Sequence, residues 1–236
     1  MTTYRRTATA VGVLFIAAIV VLFIGEAIYK PILDEPDYLD NAHPDRAAVI
    51  VGLLVEYAGA PAVVAISLLL YPILRRHSEA MALGYVGFRV LEMGILSVAY
   101  VSRLAQVSLS ERFLDESGAD ASSYQALGSV LESINDWAGT QGLIYLVIFS
   151  LGSFILYSAL YRSELVPRLV SISGNIAATV LLVGSILLEA FGESPSAGVE
   201  LAVAGPIAIV EVMLSVWLIA KGFNQTAIMA GQETGI

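Results

Sequence analysis

Six stretches of this chain, roughly 8–29, 47–74, 81–107, 137–161, 170–191 and 199–222, are each long and apolar enough to cross a lipid bilayer. A crossing helix needs about 20 mostly apolar residues. Lipid offers no partner to an open backbone, and nothing here alternates like a barrel strand, so the spans are expected to be α-helices. The predicted fold is all-α, a polytopic six-transmembrane-helix bundle. The chain has 236 residues, 57% of them hydrophobic and only 14% charged. That leaves no room for a large extramembrane domain, and 1–236 reads as one membrane domain. The first stretch follows Arg5 and Arg6 and superficially resembles a signal peptide. It exceeds a signal core of about 7–15 residues and lacks a small-residue cleavage pattern, so it reads as a retained first span.

Basic residues orient such a bundle. Arg5, Arg6, Arg75, Arg76, Arg162, Arg168 and Lys221 fall on one side of a six-span topology. The other side carries only Lys30, Arg46 and Arg112. It also holds Asp34, Glu35, Asp37, Asp40, Asp45, Glu111, Asp115, Glu116, Asp120, Glu132, Asp136 and Glu193. Both termini are therefore expected in the cytoplasm of a bacterial or archaeal cell, with the protein in its cytoplasmic membrane. The acidic outer face serves either solubility, as in a salt-adapted proteome, or the attraction of cations. In the long loop 108–135, Tyr124, Leu127, Val130, Leu131 and Ile134 recur at helical spacing, with Ser122 or Ser123 as an N-cap. This predicts an amphipathic helix in the outer loop between spans three and four, either capping the bundle at the headgroups or covering a ligand.

Charges inside the spans carry the functional signal, because ionisable groups at that depth are expensive. By a rise of about 1.5 Å per residue, Glu56, Arg89, Glu92 and Glu211 all fall in the middle third of a core about 30 Å thick. Tyr85, Arg89, Glu92 and Arg103 follow three-and-four spacing and share one helix face. Arg103, nearer the outer boundary, has Asp136 as a candidate partner. One mid-depth arginine faces three carboxylates. Arg89 can hold one, or two in a fork, which leaves at least one acid to be neutral or to bind a cation. Glu56, Arg89, Glu92, Glu211 and Tyr85 are thus the candidate ligand or ion site, and Arg103 with Asp136 its outer mouth. The competing reading makes the charges purely structural, fixing helix register. Pro61, four residues after Tyr57, and Pro206, beside Gly205, interrupt backbone bonding near these acids. Broken helices of this kind are common near transporter sites.

Several chemistries are excluded or poorly supported. Cysteine is absent, which removes disulfides, thiolate metal sites and cysteine nucleophiles. No histidine lies within a span, and Lys221 sits only at the very end of the sixth, so neither a retinal Schiff base nor bis-histidine haem ligation is expected. There is no Walker or Rossmann glycine pattern. Span serines at 67, 97, 150 and 153 have no base at matching depth. No cofactor, no metal site and no nucleic-acid partner is expected, and enzymatic activity is disfavoured, although carboxylate-only chemistry stays open.

Three stretches carry a family resemblance: RRTATAVGVLFI at the start, GFRVLE in the third span, and LYRSELVPRLVSISG between the fourth and fifth. Together they resemble a bacterial family of six-span integral membrane proteins, domain-of-unknown-function family 4386. The resemblance implies the fold and topology, with an Arg-x-x-Glu pair at Arg89 and Glu92, and implies no activity. Two functional readings remain. One is a transporter or channel for a small solute, linked to a proton or cation. The other is a non-catalytic sensor, accessory subunit or lipid-binding module. The lipid bilayer is the expected partner, and an oligomer or partner subunit stays open.

Overall fold

The computed structural model describes residues 3–115, 121–191 and 196–233. Glu116, Asp120 and Glu193, counted above with the acidic side, lie outside the described residues. Among the described residues there are ten helices and no strand. Helix α1 spans Thr3–Leu33, α2 Tyr38–Asn41, α3 Arg46–Tyr57, α4 Gly59–Leu74 and α5 Glu79–Asp115. Helix α6 spans Ala121–Ala138, α7 Leu143–Ser163, α8 Arg168–Phe191, α9 Ala197–Ala220 and α10 Gln225–Glu233. Six segments are long and apolar enough to cross a membrane, so this is a multi-pass membrane protein. Their exposed surface is correspondingly apolar: Phe23, Val101, Leu169 and Ile209 are all exposed, as side chains meeting lipid would be.

Element boundaries depart from the expected ones for local reasons. The second span is two helices. Pro61 has no amide to offer the Tyr57 carbonyl, and the helix breaks at Ala58 between α3 and α4. In the fourth apolar stretch the helix α7 opens at Leu143. Trp137 instead belongs to the last turn of α6. Gly139 and Gly142 then turn the chain, with Gly139 N donating to Asn135 O and Gly142 N to Gly139 O. The expected amphipathic helix is α6. Its Leu127, Val130, Ile134 and Trp137 form an exposed apolar stripe, while Gly128 and Ala138 are buried. The serines expected to cap it lie inside its first turn. Helix α5 also runs on to Asp115, well beyond the apolar stretch.

The chain divides into two compact units. The first comprises residues 1–17, 62–92 and 146–236. Its core gathers Ile66, Leu70, Leu156, Tyr157, Leu181, Leu214 and Leu218. Small residues set its helix spacing. A Cβ built on Gly174 of α8 would lie 2.2 Å from the Tyr157 ring of α7, so only glycine permits that approach. At the end of α9, Arg5 donates to the carbonyls of Leu218 and Ile219, at 3.0 and 2.6 Å, and of Ala220 at 3.1 Å. These are carbonyls that a helix C-terminus leaves without amide partners, and a cation also suits the negative end of the helix dipole.

The second unit comprises residues 18–61 and 93–145. Tyr29, Leu33, Ala42, Val49, Leu53 and Val107 form its apolar core. Ser110 ties α2 to α5: its hydroxyl donates to Leu39 O at 2.6 Å and accepts from His43 N at 2.9 Å. Ser102 donates to Leu131 O of α6 at 2.5 Å. Helices α1 and α3 meet at glycines. A Cβ on Gly25 would lie 2.5 Å from Glu56 Cβ and 2.6 Å from the Gly52 carbonyl oxygen.

Candidate functional site

The residues singled out in the sequence divide between the two units. Tyr85, Arg89, Glu92 and Glu211 belong to the first; Glu56, Arg103 and Asp136 belong to the second. Each group is described with the neighbours of its own unit.

In the first unit, Arg89 on α5 is only 1% exposed. One turn of helix brings Glu92 beneath it, and Arg89 Nη1 donates to Glu92 Oε2 at 2.5 Å. Nη2 donates to Ser153 Oγ of α7 at 3.3 Å. The guanidinium carbon lies 5.2 Å from the Tyr85 ring centre and 5.1 Å from that of Phe149, within cation–π range of both. Glu211, from α9, is half-buried and acts electrostatically on both Arg89 and Glu92. The guanidinium is thus held by a carboxylate, a hydroxyl and two aromatic rings. Arg89 Nε and the hydroxyls of Tyr85 and Tyr157 are buried in the same unit without a hydrogen-bond partner. A buried polar group of that kind is a place for bound water or for a transferable proton.

The second unit contains an open cavity of about 360 Å³. Its lining comes from α1 (Tyr29, Lys30), α3 (Glu56), α5 (Leu96, Ala99, Tyr100, Arg103), α6 (Glu132, Asn135, Asp136), Asp34, and the 139–142 turn. Glu56 sits two residues before the helix break and is 3% exposed. Its polar neighbours are the hydroxyls of Tyr29 and Tyr100, and its Oε2 has no hydrogen-bond partner. Tyr100 is steadied by an edge contact with the Tyr57 ring, 5.1 Å between centres, and Tyr57 hydrogen-bonds Ser97 at 3.0 Å.

The cations in this cavity already have partners. Arg103 Nη2 pairs with Asp34 Oδ1 at 2.8 Å, and its guanidinium lies 5.8 Å from the Tyr29 ring centre. Lys30 pairs with Glu26 at 2.8 Å, and Thr140 donates to the same Glu26 oxygen at 3.3 Å. Asp136, the partner expected for Arg103, lines the same cavity, but the ion pair goes to Asp34. The reason is local: α1 continues through Lys30 to Leu33 and delivers Asp34 just past its end.

Sequence reasoning missed Asp34, Asn135, Thr140 and Gln141 as cavity residues, because they lie at helix ends or in turns where periodicity is silent. The Gly-Thr-Gln-Gly run at 139–142, polar at the edge of an apolar stretch, was the signal that could have found that wall. Among the described residues no group of three or more His, Cys, Asp or Glu side chains is placed to hold a metal ion.

No curated protein and no solved structure matches the chain. A family model described as "Domain of unknown function (DUF4386)" matches residues 10–222, and the chain, with its six apolar helices and buried Arg-x-x-Glu pair, belongs to that family.

Proposed function

We propose that this protein is a membrane carrier for a small polar solute, whose passage is linked to a proton or cation, and that Glu56 is the group that meets the solute. The observation that carries the reading is the cavity itself. It is polar, of ligand-pocket size (such pockets run from about 300 to 1,000 Å³), and has a buried carboxylate in its wall. A structural acid at this depth is paired with a cation; Glu56 has only the Tyr29 and Tyr100 phenols as donors, and its Oε2 has no partner. The first unit supplies the second element. One guanidinium faces Glu92 and Glu211, so one negative charge is left to be balanced by a proton or a cation. In this reading both termini are cytoplasmic, and the acidic loops and the cavity mouth face outward.

The module reading is favoured by one observation, the closed pairing of Arg89 with Glu92 and Ser153, which needs no ligand. Liposomes separate the two. Purified protein is reconstituted with a pH-sensitive dye inside, and gradients of guanidinium, acetate, glycine and glycerol are imposed in turn, with protein-free vesicles as reference. The carrier reading expects at least one solute to drive proton movement, and Glu56→Gln to reduce it about tenfold or more. No protein-dependent flux with any of the four, or flux indifferent to Glu56→Gln, would reject it.

A further inference from the structure

The cavity in the second unit has a charge pattern that selects among solutes. We infer that its ligand is a small organic cation bearing N–H donors, a primary ammonium or a guanidinium, seated on Glu56. This rests on the reading of Glu56 as the solute-binding group and narrows it to a chemical class.

Of the charged lining residues, Lys30 and Arg103 are positive, and Asp34, Glu56, Glu132 and Asp136 are negative. Arg103 is neutralised by Asp34, and Lys30 by Glu26. What remains is acidic, with Glu56 at the buried end and Glu132 and Asp136 exposed. An anion would find Arg103 already ion-paired with Asp34, with only its Nε unpartnered, and would face surplus carboxylates. A zwitterion would have to break the 2.8 Å pair of Arg103 with Asp34 to place its own carboxylate.

An ammonium fits without rearrangement. The Glu56 carboxylate has the Tyr29 and Tyr100 phenols as neutral donors and no cation, and its buried Oε2 is without a partner, so a charge-assisted N–H···O⁻ bond is what it lacks. The Tyr29 and Tyr100 hydroxyl oxygens beside it are further acceptors for an ammonium. Asn135, Thr140 and Gln141 add neutral acceptors on the same wall. A bare divalent cation instead asks for six or more oxygens, several from carboxylates. No such cluster forms among the described residues. A quaternary ammonium has no N–H to give to Oε2, which disfavours that class.

The test is equilibrium binding of radiolabelled methylammonium to the full chain in nanodiscs, with competition by guanidinium, tetramethylammonium, acetate and glycine. Saturable binding displaced by guanidinium, and not by acetate, supports the inference. Glu56→Gln should weaken it about tenfold or more, Tyr100→Phe less, and Asp136→Asn least. Glu79→Gln, an exposed acid at the start of α5, should leave it unchanged. Thermal melting of each variant separates loss of the site from loss of the fold, and Tyr100→Phe keeps the question open to test if Glu56→Gln is unstable. Equal competition by acetate, or methylammonium binding indifferent to both Glu56→Gln and Tyr100→Phe, would overturn the inference. Methylammonium binding without flux of any solute would leave the amine site standing and remove the carrier. Flux of acetate or glycerol without methylammonium binding would do the reverse.

Discussion

Arg89 and Glu56 are both buried charges in apolar helices, yet their surroundings differ in kind. Arg89 is held by Glu92 and Ser153 and lies between the rings of Tyr85 and Phe149. Glu56 has two phenols for company, an oxygen without a partner, and a cavity at its side. Membrane burial by itself therefore does not separate structural from functional charge. The separation comes from whether the charge finds an opposite charge within the protein: Arg89 does, although its Nε stays unpartnered, and Glu56 does not. A paired charge contributes to folding, whereas an unpaired one is kept at a cost to folding and stays available to a ligand.

The largest expected effect tests the paired side. Arg89→Met leaves Glu92 and Glu211 without their cation, and breaking a buried pair in this way costs about 3–5 kcal/mol. The variant should accumulate poorly and melt well below the parent in detergent. Glu56→Gln should shift the melting point little, because no strong pair is lost. If the two variants exchanged places, Arg89 benign and Glu56 indispensable to the fold, the comparison would be broken.

Helix contact comes next. Gly174→Ala drives a methyl into Tyr157, and Gly25→Ala drives one into Glu56 and the Gly52 carbonyl. Overpacking of this sort costs about 1–3 kcal/mol. The two should differ in their second readout: Gly25→Ala displaces Glu56 and should weaken solute binding, while Gly174→Ala should affect stability alone. Gly94→Ala meets nothing within 4 Å and should be neutral or slightly stabilising. Arg5→Ala follows, losing three carbonyl contacts on α9 for about 1–2 kcal/mol, read as a lower melting point that Arg5→Lys restores only in part.

The smallest effect concerns His77, outside the spans. Burial and, secondarily, the neighbouring Arg76 hold its imidazolium below the ordinary histidine range. The unfolded chain then binds more protons than the folded one below pH about 6.5, so stability falls as pH drops through that region and is flat above it. Melting between pH 7.5 and 5.5 should show a slight acid loss that His77→Gln removes. An unchanged acid loss in that variant would assign it to other groups.

Much of the architecture was legible in the chain. Length and hydropathy are sufficient for six spans because bilayer thickness dictates helix length. The break at Ala58 was legible in part, since Pro61 cannot donate to Tyr57, yet the same reasoning marked Pro206, which α9 carries without a break. The Arg89–Glu92 pair was legible, because an i, i+3 spacing forces neighbours on a helix. What the spacing rule cannot reach is contact between helices. Ser153, Phe149 and Glu211 come to Arg89 from other helices, and Tyr29 and Tyr100 come to Glu56 in the same way. Asp34 displaced Asp136 as the partner of Arg103 because of where α1 ends.

From the sequence alone came the membrane environment, the six apolar spans and the identity of the costly charges, since each follows from local composition and the energetics of lipid. Only the tertiary structure gave the charges their partners: Glu92, Ser153 and two rings around Arg89, and two phenols and a cavity beside Glu56. The physical reason is that hydrogen-bond satisfaction is a property of neighbours distant in the chain, set here by close helix approach at Gly25 and Gly174 and by the turn at 139–142.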